Sequence, residues 1–145
     1  MSRSLNKIML IGNLGRNPDL RHSAKGTAVS TLSVATSSRR KNPQSNEWED
    51  QTDWHKVLLL NQNARWAHET LTKGRTVYVE GAIRYGVYLN KSGIETPYTY
   101  ILATHIETFG AKNRPNTESP PSQADESSSL QDSEHRDWLE AYEGD

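Results

Sequence analysis

The apolar positions of this chain fall into short runs separated by turn-forming residues. Lys7 to Leu14 (KIMLIGNL) is strongly apolar and is closed by Gly15 and the Asn17-Pro18 pair, which predicts a strand. Leu20 to Ser23 extends that strand beyond a bend, and Lys25-Gly26 supplies a tight turn. Ala28 to Thr36 (AVSTLSVAT) alternates, with Val29, Thr31, Ser33 and Ala35 on one side and Ala28, Leu32 and Val34 on the other, the pattern of a half-buried strand. Ser37 to Gln51 reads as a polar loop that holds Arg39, Arg40, Lys41 and Trp48. Thr52 to Leu60 is the third strand. Gln62 to Lys73 predicts the one helix: Ala64, Ala67 and Leu71 share a face, Trp66 falls opposite them, and Gly74 stands where a C-terminal glycine cap belongs. Thr76 to Arg84 is the fourth strand, with Gly81 marking a bulge or bend. Tyr85 to Ile94 reads as a projecting hairpin turning at Asn90 to Gly93, and Thr96 to Thr108 as the last long strand.

Three strands, a helix and two strands, with a glycine bend available for closure, is the element order of the OB-fold, a five-stranded Greek-key barrel. The expected class is therefore all-β, with one helix between strands three and four. Composition divides the chain at Gly110. The hydrophobic share is 33% and the mean hydropathy −0.85, polar for a single core, and nearly all the aliphatic and aromatic residues precede residue 110. The remainder is rich in Ser, Pro, Asn and Gln without apolar periodicity, so residues 111–145 are expected to form a disordered tail. Residues 1–110 carry 14 Lys+Arg against 9 Asp+Glu, a net of +5, whereas 111–145 carry 3 against 9, a net of −6. A basic domain with an acidic tail fits a polyanion-binding face.

The absence of cysteine excludes disulfides, zinc ribbons and thiol chemistry. The first strand begins within a few residues of Met1, so no signal peptide or membrane span is expected and the location is read as cytoplasmic. The five histidines show no metal-ligand spacing, no nucleophile is placed by a recognisable turn, and GNLG lacks the Gly-Lys-Ser/Thr of a phosphate loop. Neither an enzyme nor a cofactor is expected. Binding chemistry is better represented. Trp54 and Lys56 lie two apart on a predicted strand and so share a face, opposite Asp53, His55 and Val57. Rings interleaved with cations suit unpaired nucleic acid: each base stacked on an aromatic contributes roughly 1–3 kcal/mol, and Lys or Arg neutralise the phosphates between. Tyr78, Tyr98 and Tyr100 are read chiefly as packing residues, while Trp48 is left open between the two roles. A related module whose main partner is protein, and an RNA-binding domain of cold-shock type, remain alternatives.

Four segments, NKIMLIGNLGRNP at 6–18, ATS at 35–37, QTDWHKV at 51–57 and KGRTVYVEGAIR at 73–84, together resemble the bacterial and mitochondrial-type single-stranded DNA-binding protein family over roughly residues 3–110. The resemblance implies a homotetramer that binds and protects single-stranded DNA in replication, recombination and repair, associated with the bacterial nucleoid. It places Trp54 and Tyr88 on stacking positions and Arg3, Lys7, Arg21, Lys56, Lys73 and Arg84 on basic positions suited to phosphate. Arg40 joins them through its planar guanidinium, Trp48, Leu60 and Tyr85 are secondary candidates, and His55 and Tyr78 fall on positions associated with subunit contacts. The chain departs from the family pattern in carrying Arg40 for a tryptophan, Leu60 for a phenylalanine and Gly86-Val87 for a basic pair, which implies weaker binding or a shorter footprint. It also ends in RDWLEAYEGD rather than in acids followed by Pro-Phe. Within 133–145, Trp138, Leu139 and Tyr142 among acidic residues are expected to dock on replication or repair proteins, and partners other than the host's usual ones would fit a copy carried by a plasmid, phage or integrated element.

Overall fold

The computed structural model describes residues 2–110. Its elements are β1 (Ile8–Leu14), β2 (Arg21–His22), β3 (Ala28–Lys41), β4 (Trp48–Leu60), α1 (Asn61–Thr70), β5 (Thr76–Leu89) and β6 (Glu95–Phe109). The sheet runs β1-β5-β6-β4-β3-β2, and an additional pairing of β1 with β3 closes the five long strands into a barrel. β2 is a two-residue addition that pairs only with the start of β3. The helix therefore lies between the third and fourth barrel strands, as the element order predicts.

Alternation sends one side of each strand inward. Leu14, Leu32, Val34, Val57, Leu59, Val77, Val79, Ile101, Ala103 and Ile106 fill the barrel, and Ala64, Ala67 and Leu71 bring α1 against them. Trp66, on the other side of the helical wheel, is half-buried and packs against this core. Two glycines mark where backbones approach too closely for any side chain. A Cβ on Gly12 would stand 2.3 Å from the Ala35 carbonyl oxygen, and one on Gly81 2.3 Å from that of Leu102. Pairing of β1 with β5 runs unbroken from Ile8↔Gly81 to Asn13↔Thr76, so Gly81 makes room for β6 rather than forming a bulge against β1.

Three local expectations are corrected. Residues 37–41 and 48–51 are continuations of β3 and β4, and only 42–47 form a loop: the register runs without a break from Val29↔Leu60 to Lys41↔Trp48. The turn is short, with Asn42 N–H donating to the Glu47 carbonyl at 2.8 Å and the Asn42 Oδ1 accepting from Gln44 N–H at 2.9 Å. Alternation in β3 begins only at Ser33; Ala28 to Leu32 are buried on both faces, where small Ala, Ser and Thr side chains fit. The helix stops at Thr70 with Leu71 as its C-terminal cap. Gly74 instead serves the turn into β5, at φ +89°, its N–H donating to the Leu14 carbonyl at 2.8 Å. The end of β5 and the start of β6 form the Tyr85–Tyr98 hairpin, a separate compact unit. Its turn is tied by the Asn90 Oδ1, which accepts from Ser92 N–H at 2.9 Å and Ile94 N–H at 3.0 Å. The expectations for 111–145 lie outside the described residues.

Candidate nucleic-acid interface

β4 separates two kinds of side chain. Val57 enters the core, and His55 on the same side shares a 2.8 Å hydrogen bond between its Nε2 and the Thr36 hydroxyl. Trp54 and Lys56 take the outward side. Directly across the ladder Trp54 meets Ala35, and Lys56 meets Ser33, so neither faces a large side chain on β3. One part of the indole rests on Gly15 at the end of β1, where a Cβ would stand 2.3 Å from its Cζ3. The ring is thus held while 50% exposed. Beside it lies a cavity of about 240 Å³ whose walls include Ile8, Ile83, Tyr100 and Ile101 together with Trp54 and Lys56. A ring, apolar walls and one ammonium group are the ingredients for holding a base and its phosphate.

Gly15 does not stand out in the sequence, because its role depends on a contact 39 positions away that no local pattern reveals. Gly15→Val is expected to push the indole off this seat, raising acrylamide quenching of tryptophan fluorescence. The rise should vanish in a Trp54→Phe background; its persistence there would assign the effect to another ring.

The ribbon formed by the ends of β3 and β4 continues the outward side of Trp54. Its cross-strand pairs in order are Ala35↔Trp54, Ser37↔Thr52, Arg39↔Asp50 and Lys41↔Trp48. Trp48 is 62% exposed. Arg39 and Asp50 form an ion pair at 3.4 Å. Arg40 has the opposite parity: it pairs across from Glu49 on the side of Val34 and His55, and borders a polar hollow shared with Asn42, Glu49 and Gln51. Arg40 and Trp54 are therefore not brought together on one face.

The remaining sequence candidates are dispersed. Arg3 precedes β1 and is exposed. Lys7 pairs with Glu80 at 3.8 Å, and Arg21 with Asp19 at 3.9 Å. Lys73 and Arg84 are exposed, the backbone N–H of Lys73 donating to the Asn17 Oδ1 at 2.8 Å. Leu60 has the parity of Trp54 and Lys56 and is half-buried at the start of α1. Within the hairpin unit, Tyr88 and Tyr98 pack with ring centroids 5.8 Å apart, and Tyr85 is 77% exposed. Tyr78 lies across from Ile11, packs edge-on to His105 and donates its hydroxyl to Glu80. That hydrogen bond holds the Glu80 carboxyl below its ordinary value, with Lys7 and His105 adding to the effect, and raises the Tyr78 phenol. Trp138, Leu139 and Tyr142 lie outside the described residues.

The single-strand binding protein family model matches residues 5–109. The chain belongs to that family. Among its relatives, a single-stranded DNA-binding protein of Xanthomonas campestris is 38% identical over 112 residues, which are 77% of this chain and 64% of that one. One from Xylella fastidiosa is 36% identical over 113 residues, 78% of this chain and 68% of the other. The chain thus spans just under two thirds of the length of the Xanthomonas relative. A Plasmodium falciparum SSB solved in complex with ssDNA is similar with a TM-score of 0.68 and 31% identity, over 76% of this chain and 99% of that one. A deletion mutant of the single-stranded DNA binding protein from Thermus aquaticus gives a TM-score of 0.64 at 27% identity, over 76% of this chain and 53% of the other. Members of the single-strand binding protein family carry this barrel, and no helix among the described residues is long and apolar enough to cross a membrane.

Proposed function

We propose that this single-strand binding family member binds unpaired DNA independently of sequence and without catalysis, protecting strands during replication, recombination and repair. The observation that carries the reading is the Trp54 indole, held half-exposed on Gly15 with Lys56 next to it on the same strand face. Such a pair takes hold of a base and its phosphate only when the base is unstacked, so it discriminates against duplex. Hairpins are then removed by mass action, because binding to the unpaired state alone shifts the pairing equilibrium. The names of the relatives, and the ssDNA in the Plasmodium complex, support the same ligand. Tyr88 and Tyr85 offer further rings on the hairpin, and Arg3, Lys7, Arg21, Arg40, Lys73 and Arg84 further cations.

The working form is a homotetramer, the usual state of the family, with His55 and Tyr78 at subunit contacts, acting on the nucleoid in the cytoplasm. Residues 1–110 are the binding domain, and the acidic tail beyond it recruits replication and repair proteins.

Titrating intrinsic tryptophan fluorescence with oligo(dT), with oligo(U) and duplex as competitors, tests the ligand. Strong quenching by oligo(dT) that neither competitor reverses is the expected result; preference for oligo(U) or duplex overturns it. Phosphate contacts also set the salt response. Lys56→Gln is expected to make the slope of log K against log salt shallower by about 0.7. An unchanged slope would remove Lys56 from the phosphate contacts.

A further inference from the structure

We infer that Trp48, at the far end of the β3–β4 ribbon, is a second base-stacking station, reached by a DNA strand that leaves Trp54 and follows the ribbon outward. The inference rests on the single-stranded DNA reading above and adds a place, a reach and an unusual salt response.

The geometry begins with register. Every pair from Ala35↔Trp54 to Lys41↔Trp48 keeps the same offset, so no bulge reverses the alternation between them. Trp48 and Trp54 are six residues apart on one strand, hence on one face and about 20 Å apart along it. A two-stranded ribbon twists strongly, so this face is a coiled track that a flexible strand can follow. The track has little relief near Trp54: Ala35, Ser37 and Thr52 are small, and the Ser37 and Thr52 hydroxyls are hydrogen-bonded to each other at 3.3 Å.

Trp48 is 62% exposed although it sits in a paired ladder position and not in the turn. The ladder therefore fixes where its backbone is while leaving the ring in water, an arrangement that contributes little to packing and suits capture of another flat ring. Charge then selects what that ring takes. Residues 37–52 hold three cations (Arg39, Arg40, Lys41) and three anions (Glu47, Glu49, Asp50), and Arg39 is engaged by Asp50 at 3.4 Å. A neutral arm has no net pull on phosphate. Its grip is on bases, and its contribution depends on salt far less than that of Lys56.

The experiment uses the full chain with oligo(dT) of about 4 and about 16 nucleotides, lengths that bracket the reach of one such barrel. Trp48→Ala is expected to weaken the longer oligomer about tenfold and the shorter by less than about twofold, with the salt slope unchanged. Trp48→Phe should keep most of the affinity for the longer strand, and both variants should melt as the parent does. Trp54→Ala, by contrast, should weaken both lengths. Parental binding of both lengths by Trp48→Ala overturns the inference, as does an equal loss on both, which would mean that Trp48 acts through the fold or through Trp54. Failure of the parent protein to bind either oligomer would overturn the functional reading itself, and this inference with it.

Discussion

Replacing Trp54 by alanine is expected to lower affinity for oligo(dT) by roughly ten- to a hundredfold, the equivalent of one lost base–aromatic stack. The ring is the one large hydrophobic side chain of the outward Trp54–Lys56 pair, and it lies outside the barrel core. Its removal uncovers Gly15 but opens no cavity among Leu32, Val34, Val57 and Leu59, so the melting midpoint should change little. Fluorescence anisotropy of labelled oligo(dT) at one fixed salt concentration measures the first effect, and thermal unfolding by circular dichroism the second. A variant with parental affinity would leave the proposed ligand without its principal contact. A variant that bound poorly and also unfolded early would show that Trp54 holds the fold together instead.

Stability should respond most sharply at the barrel seam. Gly12→Val is expected to cost about 3 kcal/mol, seen as a lower denaturant midpoint. The new Cβ would lie 2.3 Å from the Ala35 carbonyl oxygen and 2.8 Å from the Val34 Cγ1. The first of these is backbone and cannot swing aside. Relief requires β1 to move away from β3, which disturbs the Asn13↔Ala35 and Leu14↔Val34 pairs that close the barrel and the 2.9 Å hydrogen bond from Gly15 N–H to the Ser33 carbonyl. DNA binding should fall with the folded fraction, because Trp54 rests on the chain just past this seam. Gly26→Ala provides the contrast. Its φ is +82° with nothing within 4 Å of the added carbon, so only backbone strain of about 1 kcal/mol is expected. Equal midpoints for the two variants would remove the steric argument for the seam.

The parts of the fold that are legible in sequence are those built by burial. Val57 and Leu59, Val77 and Val79, and the Ala64–Ala67–Leu71 stripe each announce an inward face, and each lies in the core. The placing of Trp54 beside Lys56, opposite His55, follows from the same two-residue period. The ribbon at 37–51 is illegible because nothing in it is buried. SSRRKNPQSNEWEDQ has the polarity and turn residues of a loop, yet all of it but the turn at 42–47 is strand, held by the backbone ladder and by cross-strand pairs such as Arg39–Asp50. Gly74 misleads for a related reason: a glycine near a helix end satisfies the cap pattern, but here its positive φ serves the turn onto Leu14. The site is legible only in part. Trp54 and Lys56 stand out by type and spacing. Gly15 as the seat of the indole, and Ile8, Ile83 and Tyr100 as cavity walls, are joined to Trp54 by closure of the barrel, which no local window contains. The parity of Arg40, opposite to that of Trp54, is visible only once 37–41 is known to be strand.

The constant offset between β3 and β4 makes the ribbon a ruler graduated in steps of two residues. Adding two residues to each arm would carry the terminal tryptophan about 7 Å farther out and leave it facing the same way. Adding one to each would turn it to the other side. Length changes at this tip are therefore quantised, and only even increments preserve an outward-facing ring.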